Sequence, residues 1–224
     1  MAVNPNEEIA RLTRMPPGRH NLPPDFVAQN QRARLCFAIT QLVAKQGYPA
    51  TSLNQIVKTA GVARHTFYEH FSSKEELFLA VFDEAAERAL RITREAIDAE
   101  PGPWEVKIRA ALAVLLSHLA GDLVLARVCL IESQSAGLEV LAHYEATMRE
   151  FAAILRTGRE GIAEGEEFPE SLEDIAVGGV IWMINRCLSE DPENIEELLP
   201  KALEFVLMPY LGDTAAEFAA QPAD

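Results

Sequence analysis

Arg64, His65, Thr66, Tyr68 and His70 fall within seven residues of one another, and they are side chains suited to contact with nucleic acid. Arginine donates to guanine edges, while threonine and tyrosine hydroxyls hold phosphate oxygens. Helical spacing turns Phe67 and Phe71 inward and leaves the polar set on other faces. Just upstream, Leu53, Ile56, Val57 and Ala60 recur at three- and four-residue intervals, the apolar face of a first helix. Ser52 and Gln55 have the spacing of a capping box at its start. Gly61 follows its last apolar residue, where the chain must turn left-handed and glycine does so without a Cβ clash. Val62 fits as the plug beneath that turn. Leu53 to Phe71 therefore reads as a helix-turn-helix whose polar face suits the DNA major groove. An ordinary helical hairpin with a solvated polar face has the same pattern. Ser73 and Glu76 form a second capping-box signature and place Lys74 in the first turn of a further helix. The helix dipole disfavours a cation there, and an outside anion such as phosphate would compensate.

The run TSLNQIVKTAGVARHTFYEHFSSKEELFLAVF, residues 51–82, resembles the DNA-binding signature of the TetR-type (TetR/AcrR) transcriptional regulators. The resemblance is strong over about Asp25–Glu84 and rests beyond that on length and all-helical character. It implies that Arg64 and its neighbours Ala63 and His65 face base edges. It also implies phosphate contacts from Thr51, Thr66, Tyr68, His70 and Lys74, with Ser52 completing the DNA-binding set. Two positions depart from the pattern. Ala63 stands where a Ser-like cap is usual, and loss of such a cap costs about 0.5–2 kcal/mol. His65 replaces a small residue and puts a titratable ring at the groove.

The bulk composition bounds the reading. The chain has 224 residues and a net charge of −14, enough length for one or two domains with a real core. The charge is unevenly spread. Residues 1–74 carry nine Lys/Arg against four Asp/Glu, whereas residues 75–224 carry eleven against thirty. A basic module on an acidic body is the expected footprint of a DNA-binding head whose body is repelled by DNA. No apolar run approaches the ~20 residues that span a bilayer, so no membrane is expected. The N-terminal stretch lacks a signal-peptide core, and a cytoplasmic protein is expected. Cys36, Cys129 and Cys187 are widely spaced in apolar runs, which reads as buried reduced thiols, with a redox sensor as the alternative.

The expected fold is all-α. It comprises an N-terminal three-helix helix-turn-helix domain and a C-terminal helical effector and dimerisation domain, about nine helices in total. The domains expected are a flexible arm over 1–24, the DNA-binding domain over 25–83, the ligand-binding and dimerisation domain over 84–212, and a frayed tail over 213–224. The arm is broken by Pro16, Pro17, Pro23 and Pro24. It is either a disordered tail or carries Arg11, Arg14 and Arg19 to the minor groove or phosphates. Asp25 is a candidate cap for a first helix running to Gln46. A fourth helix, from Ser73 to about Ala99, forms a rod of ~39 Å. Pro101-Gly102-Pro103 breaks the chain before the body. There Asp122 and Ser171 are candidate caps, a long helix covers Leu138–Ala163, and an acidic loop covers 165–169. Pro200 should kink or divide the last helix and Pro209 should stop it. Ala176–Ile184 is apolar all round. With the stripe from Ile195 to Leu207, it suggests a four-helix bundle shared by two copies; a monomer core is the alternative.

Signatures of catalysis are absent: no P-loop, GxGxxG, HExxH, CxxC pair or GxSxG occurs. No enzyme, cofactor or metal site is expected. Polar and aromatic residues set into apolar helices are candidates for a small-molecule pocket: Trp104, His118, Arg127, Tyr144, Met148, Trp182, Asn185 and Arg186. Glu132 could join them as a pocket group, a buried pair or a surface charge. The reading is a homodimeric transcriptional regulator, a repressor released from a near-palindromic double-stranded operator by a small, largely apolar effector. A DNA-binding regulator with no effector, or one responding to redox through cysteine, is the alternative.

Overall fold

The computed structural model describes residues 23–158 and 168–221. Most of the N-terminal arm, residues 159–163 of the expected long helix and residues 165–167 of the expected acidic loop lie outside the described residues. Among those described, every regular element is helical: α1 (Pro24–Gln46), α2 (Leu53–Ala60), α3 (Arg64–His70), α4 (Lys74–Ala99), α5 (Trp104–Gly121), α6 (Leu123–Leu130), α7 (Leu138–Arg156), α8 (Leu172–Glu190), α9 (Leu199–Leu211) and α10 (Thr214–Ala219). Two 3-10 segments, Glu132–Ser135 and Pro192–Leu198, complete the set. No single described helix is long and apolar enough to cross a membrane.

The chain divides into two compact units. The first holds α1 to α3, α4 as far as Glu84, and Ile131–Leu141. Its core is Leu35, Ile39 and Val43 of α1, Ile56 and Ala60 of α2, Phe67 and Phe71 around α3, and Leu77, Phe78 and Phe82 of α4. The recruitment of residues 131–141 corrects the contiguous boundary drawn at 83/84. Ala136 and Val140 are buried there, and the Glu132 carboxylate accepts the Tyr48 N–H at 3.0 Å. Glu132 is thus neither a pocket group nor a free surface charge.

The capping details show where local pattern sufficed. Both halves of the Ser52–Gln55 box are formed, and Gly61 is left-handed at φ 61°. Asp25, by contrast, is not the cap of α1. Pro23 holds that position and Asp25 sits in the first turn, where the dipole still favours its charge. The box at α4 is split. Ser73 Oγ accepts the Glu76 N–H, but the Glu76 carboxylate takes the N–H of Ser72.

The second unit holds 85–130 and the chain from 142 onward. Its core is built from Ile108 and Leu116 of α5, Val128 of α6, Ala152 and Leu155 of α7, Val180, Ile184 and Leu188 of α8, and Leu203, Val206 and Leu207 of α9. Asp122 caps α6 through the Leu125 N–H at 3.0 Å, whereas Ser171 makes no side-chain cap to α8. Pro200 divides the last helix as expected, falling in the first turn of α9 after the 3-10 segment. Pro209 does not stop α9, which continues to Leu211 before Gly212 ends it at φ 57°. A proline that near the end removes one bond of a turn whose last groups lack helical partners anyway. The frayed tail is likewise corrected. Thr214–Ala219 is helical with Ala215 and Ala219 buried, because Arg109 donates to the carbonyls of Phe218 and Gln221 and its guanidinium lies over the Phe218 ring. Finally, α8 is not covered all round: Ile175 and Trp182 are 63% and 62% exposed.

Candidate nucleic-acid interface

The sequence of α2 and α3 places one polar face outward because their apolar residues are spent inward. Ile56, Ala60, Phe67 and Phe71 are buried, and Arg34 of α1 donates to the Gly61 carbonyl at 2.8 Å, clamping the turn between the two helices. A Cβ at Gly61 would fall 2.5 Å from that guanidinium, so this turn requires glycine both for its φ and for the clamp. Ala63 caps α3 with no side-chain bond, which leaves the first turn of α3 uncapped by the protein.

The nine residues expected at DNA separate into two groups. Ser52, Ala63, Arg64, His65 and Tyr68 are exposed, Tyr68 to 52%. Arg64 bridges Asn54 Oδ1 and the Tyr68 hydroxyl, both at 3.4 Å. Thr51 and Thr66 are buried instead. The Thr51 hydroxyl donates to the Gly47 carbonyl at 2.8 Å and accepts from Gln46 at 3.3 Å. His70 is half-buried, its Nε2 3.2 Å from Gln31 Oε1.

Lys74 also turns inward. Its ammonium donates to the carbonyls of Tyr48 and Thr51 at 2.9 and 2.8 Å and lies 3.8 Å from the centroid of the Tyr48 ring. Burial holds its pKa below the usual lysine value, and burial together with Glu75 pushes the Tyr48 hydroxyl up to about 12. In place of an outside anion, the lysine in the first turn of α4 has two neutral acceptors from the protein itself, the backbone carbonyls of Tyr48 and Thr51. Asn54 and Gln46, which help organise this surface, lacked any signal in the sequence. Their partners lie ten residues away, on Arg64, or depend on a turn whose geometry spacing does not disclose.

The eight pocket candidates are not gathered at one place. Trp182 and Arg186 lie outward on α8, the guanidinium 5.7 Å from the ring centroid and paired with Glu190. The Trp104 and Tyr210 rings meet tilted, with centroids 4.7 Å apart, and the indole N–H is buried and without a partner among the described residues. The Asn185 side-chain carbonyl is buried and unpartnered likewise. His118 is half-buried and its pKa is pushed down by burial, with Arg88 adding to the effect. Arg127, Tyr144 and Met148 are half-buried on α6 and α7. The sequence reading missed Glu173, a fully buried carboxylate that takes the Tyr210 hydroxyl at 2.7 Å and Arg156 Nε at 3.4 Å. Among the described residues no cluster of His, Cys, Asp and Glu could hold a metal.

Known proteins are similar to this chain in sequence and in fold. Residues 38–81 match the bacterial regulatory proteins of the tetR family. The chain is 30% identical over 130 residues to the fatty acid metabolism regulator protein of Bacillus subtilis, covering 58% of this chain and 66% of that protein. It is 29% identical over 92 residues to the transcriptional activator FasR of Mycolicibacterium smegmatis, covering 41% of this chain and 42% of the relative. In fold it is similar to the regulator FadR from Bacillus subtilis, solved in complex with stearoyl-CoA, with a TM-score of 0.64 at 24% identity over 77% of this chain and 96% of that one. These relatives are named as transcriptional regulators rather than enzymes. The helix-turn-helix, the all-helical body and these likenesses agree: residues 38–81 carry the tetR-family DNA-binding pattern, and the chain is similar to TetR-type transcriptional regulators.

Proposed function

We propose that the protein is a homodimeric repressor that binds a near-palindromic operator and leaves it when a long-chain fatty acyl-CoA occupies the helical body. The observation that carries the DNA half is the exposed face of Arg64, His65 and Tyr68. Two such faces, related by a dimer axis, would enter successive major grooves ~34–36 Å apart. Dimerisation is supported by the apolar face left on α8 and α9, where Ile175, Trp182, Phe205 and Met208 are exposed. Gly179 lets the α9 ring of Phe205 approach to a distance that a Cβ would forbid. Two helices from each copy would close this face as a four-helix bundle.

The effector class is suggested by relatives named for fatty acid metabolism and by the complex of one with stearoyl-CoA. The chain's own residues fit. Leu112, Leu115 and Leu119 of α5, and Tyr144, Met148 and Phe151 of α7, continue stripes that are otherwise buried yet stay half-covered. Half-covered apolar side chains on these stripes leave apolar area that an acyl chain would bury. The 26-residue α4 begins in the DNA-binding unit and ends in the other; a tilt of this rod would carry occupancy to the head. The shift is bounded by the effector's differential affinity for the two conformers.

Thermal melting with stearoyl-CoA, and with coenzyme A alone as control, tests the effector. Ligand at about 100 times its Kd should add about 2.7 kcal/mol of stability, and the same ligand should release bound operator. Coenzyme A alone should do neither. Unchanged melting and unchanged DNA binding with acyl chains of every length would remove this effector from the account.

The thiols oppose a redox response. Burial pushes Cys36 to about 11 and Cys129 to about 12, and raises Cys187 as well. Thiolate is the reactive form. The folded protein is expected to leave Cys129 unlabelled by an aromatic disulfide reagent at pH 7.5, and peroxide is expected to leave operator affinity unchanged. Rapid labelling of all three thiols without unfolding would restore the redox alternative.

A further inference from the structure

Arg64 is held from two sides. Asn54 Oδ1, on α2, accepts from one terminal nitrogen of its guanidinium, and the Tyr68 hydroxyl, one turn along α3, accepts from the other. The ring of Tyr68 lies 5.9 Å from the guanidinium carbon. All three side chains are exposed, so the assembly sits on the outer face of the helix-turn-helix rather than in its core. A guanidinium has five N–H donors. With two engaged, three remain, including one on each terminal nitrogen. Reading guanine requires donors in one plane at a fixed tilt to the base edge. A lone arginine on a seven-residue helix carries large rotamer freedom that must be lost on binding. Tethering both terminal nitrogens removes part of that freedom before DNA arrives, which is the physical meaning of preorganisation here.

We propose that Asn54 is a positioning residue for base recognition: from α2 it fixes the plane of Arg64 and thereby sets the preference at the base pair that Arg64 reads. This rests on the assignment of Arg64 to a base edge. It gives α2 a part in sequence reading that neither the capping pattern nor the apolar periodicity indicates. The inner face of α2 packs the head, its cap at Ser52 starts the helix, and Asn54, one residue beyond Leu53, reaches across the turn to α3.

Selection from a random duplex library, run with the intact wild-type chain and with Arg64→Ala, Asn54→Ala and Asn54→Asp, tests this directly. The wild type should yield a two-half-site motif. Arg64→Ala should lose preference at one base pair per half-site. Asn54→Ala should lower preference at that same base pair by about tenfold, within the range set by one bidentate contact, while binding to unrelated DNA and its salt dependence stay as in the wild type. Asn54→Asp keeps the acceptor for Arg64, so it should retain that preference while the added negative charge weakens binding to all sequences alike. A wild-type motif that Asn54→Ala leaves intact would overturn the inference, as would changes by Asn54→Ala and Arg64→Ala at different base pairs. A wild type that selects no motif would overturn both this inference and the assignment of Arg64.

Discussion

Replacing Trp182 with glutamate is expected to leave the protein monomeric at micromolar concentration and to weaken operator binding by about 10²–10⁴-fold. The reasoning begins with exposure. Trp182 and Ile175 lie seven residues apart on α8, hence on one helix face, and both are more than three-fifths exposed. An exposed apolar patch rimmed by charge marks an interaction surface, and Arg186 with its partner Glu190 provides such a rim. A carboxylate at the centre of a face that closes against its own copy would be desolvated twice over, and the neighbouring Arg186 is already paired with Glu190. Loss of the dimer removes the linkage of two heads, and linked sites gain about 10²–10⁴ in avidity. Sedimentation velocity reads the first effect and operator titration the second. Because Trp182 supports little of its own unit's core, the circular dichroism spectrum should not change. A variant that remains dimeric with full operator affinity would contradict the placement of the interface on α8 and α9.

Lys74→Ala is expected to destabilise the head by about 1.5–3 kcal/mol, the range for hydrogen bonds that involve a charged group, and to leave the salt dependence of DNA binding unchanged. The ammonium joins the carbonyls of Tyr48 and Thr51 across the turn that leads into α2 and lies against the Tyr48 ring. Removing it deprives both carbonyls of a charged donor, leaving that of Tyr48 with the Thr51 N–H alone, and loosens the approach to the Ser52 cap. Operator affinity should therefore fall together with thermal stability. A phosphate contact behaves otherwise: its loss lowers the salt slope by roughly one unit and weakens binding to every sequence without unfolding. The two roles separate in one titration series combined with a melt. A reduced slope at unchanged melting temperature would return Lys74 to the DNA backbone and show that its two carbonyl bonds open on binding.

The comparison of these two residues explains what the sequence could disclose. Helix boundaries were legible where local chemistry decides them. Ser52 with Gln55 and Gly61 with its left-handed φ set α2 and the turn, and Pro101-Gly102-Pro103 parts α4 from α5. Faces within one helix were legible too, as with Phe67 and Phe71. What escaped was every choice between partners at a distance. Lys74 was read as meeting an outside anion, because its two acceptors lie 26 and 23 residues upstream. Thr51 and Thr66 have the hydroxyls a phosphate needs, but tertiary packing covers them. Glu132 was placed with the body and holds the Tyr48 N–H, 84 residues away. The short α10 was taken for a frayed end, since a six-residue helix has little stability by itself and only Arg109 reveals why it holds. The all-round apolar run in α8 likewise gave no sign of which side the fold leaves exposed, the side of Ile175 and Trp182.

A footprint of the purified, ligand-stripped protein on the DNA flanking its own gene, repeated across salt concentrations, tests the central claim most directly. The account predicts a protected near-palindrome with half-sites about 34–36 Å apart, protection that fades steeply as salt rises, and its loss on adding stearoyl-CoA. An absence of specific protection at low salt would contradict the reading of α2 and α3 as an operator-binding head.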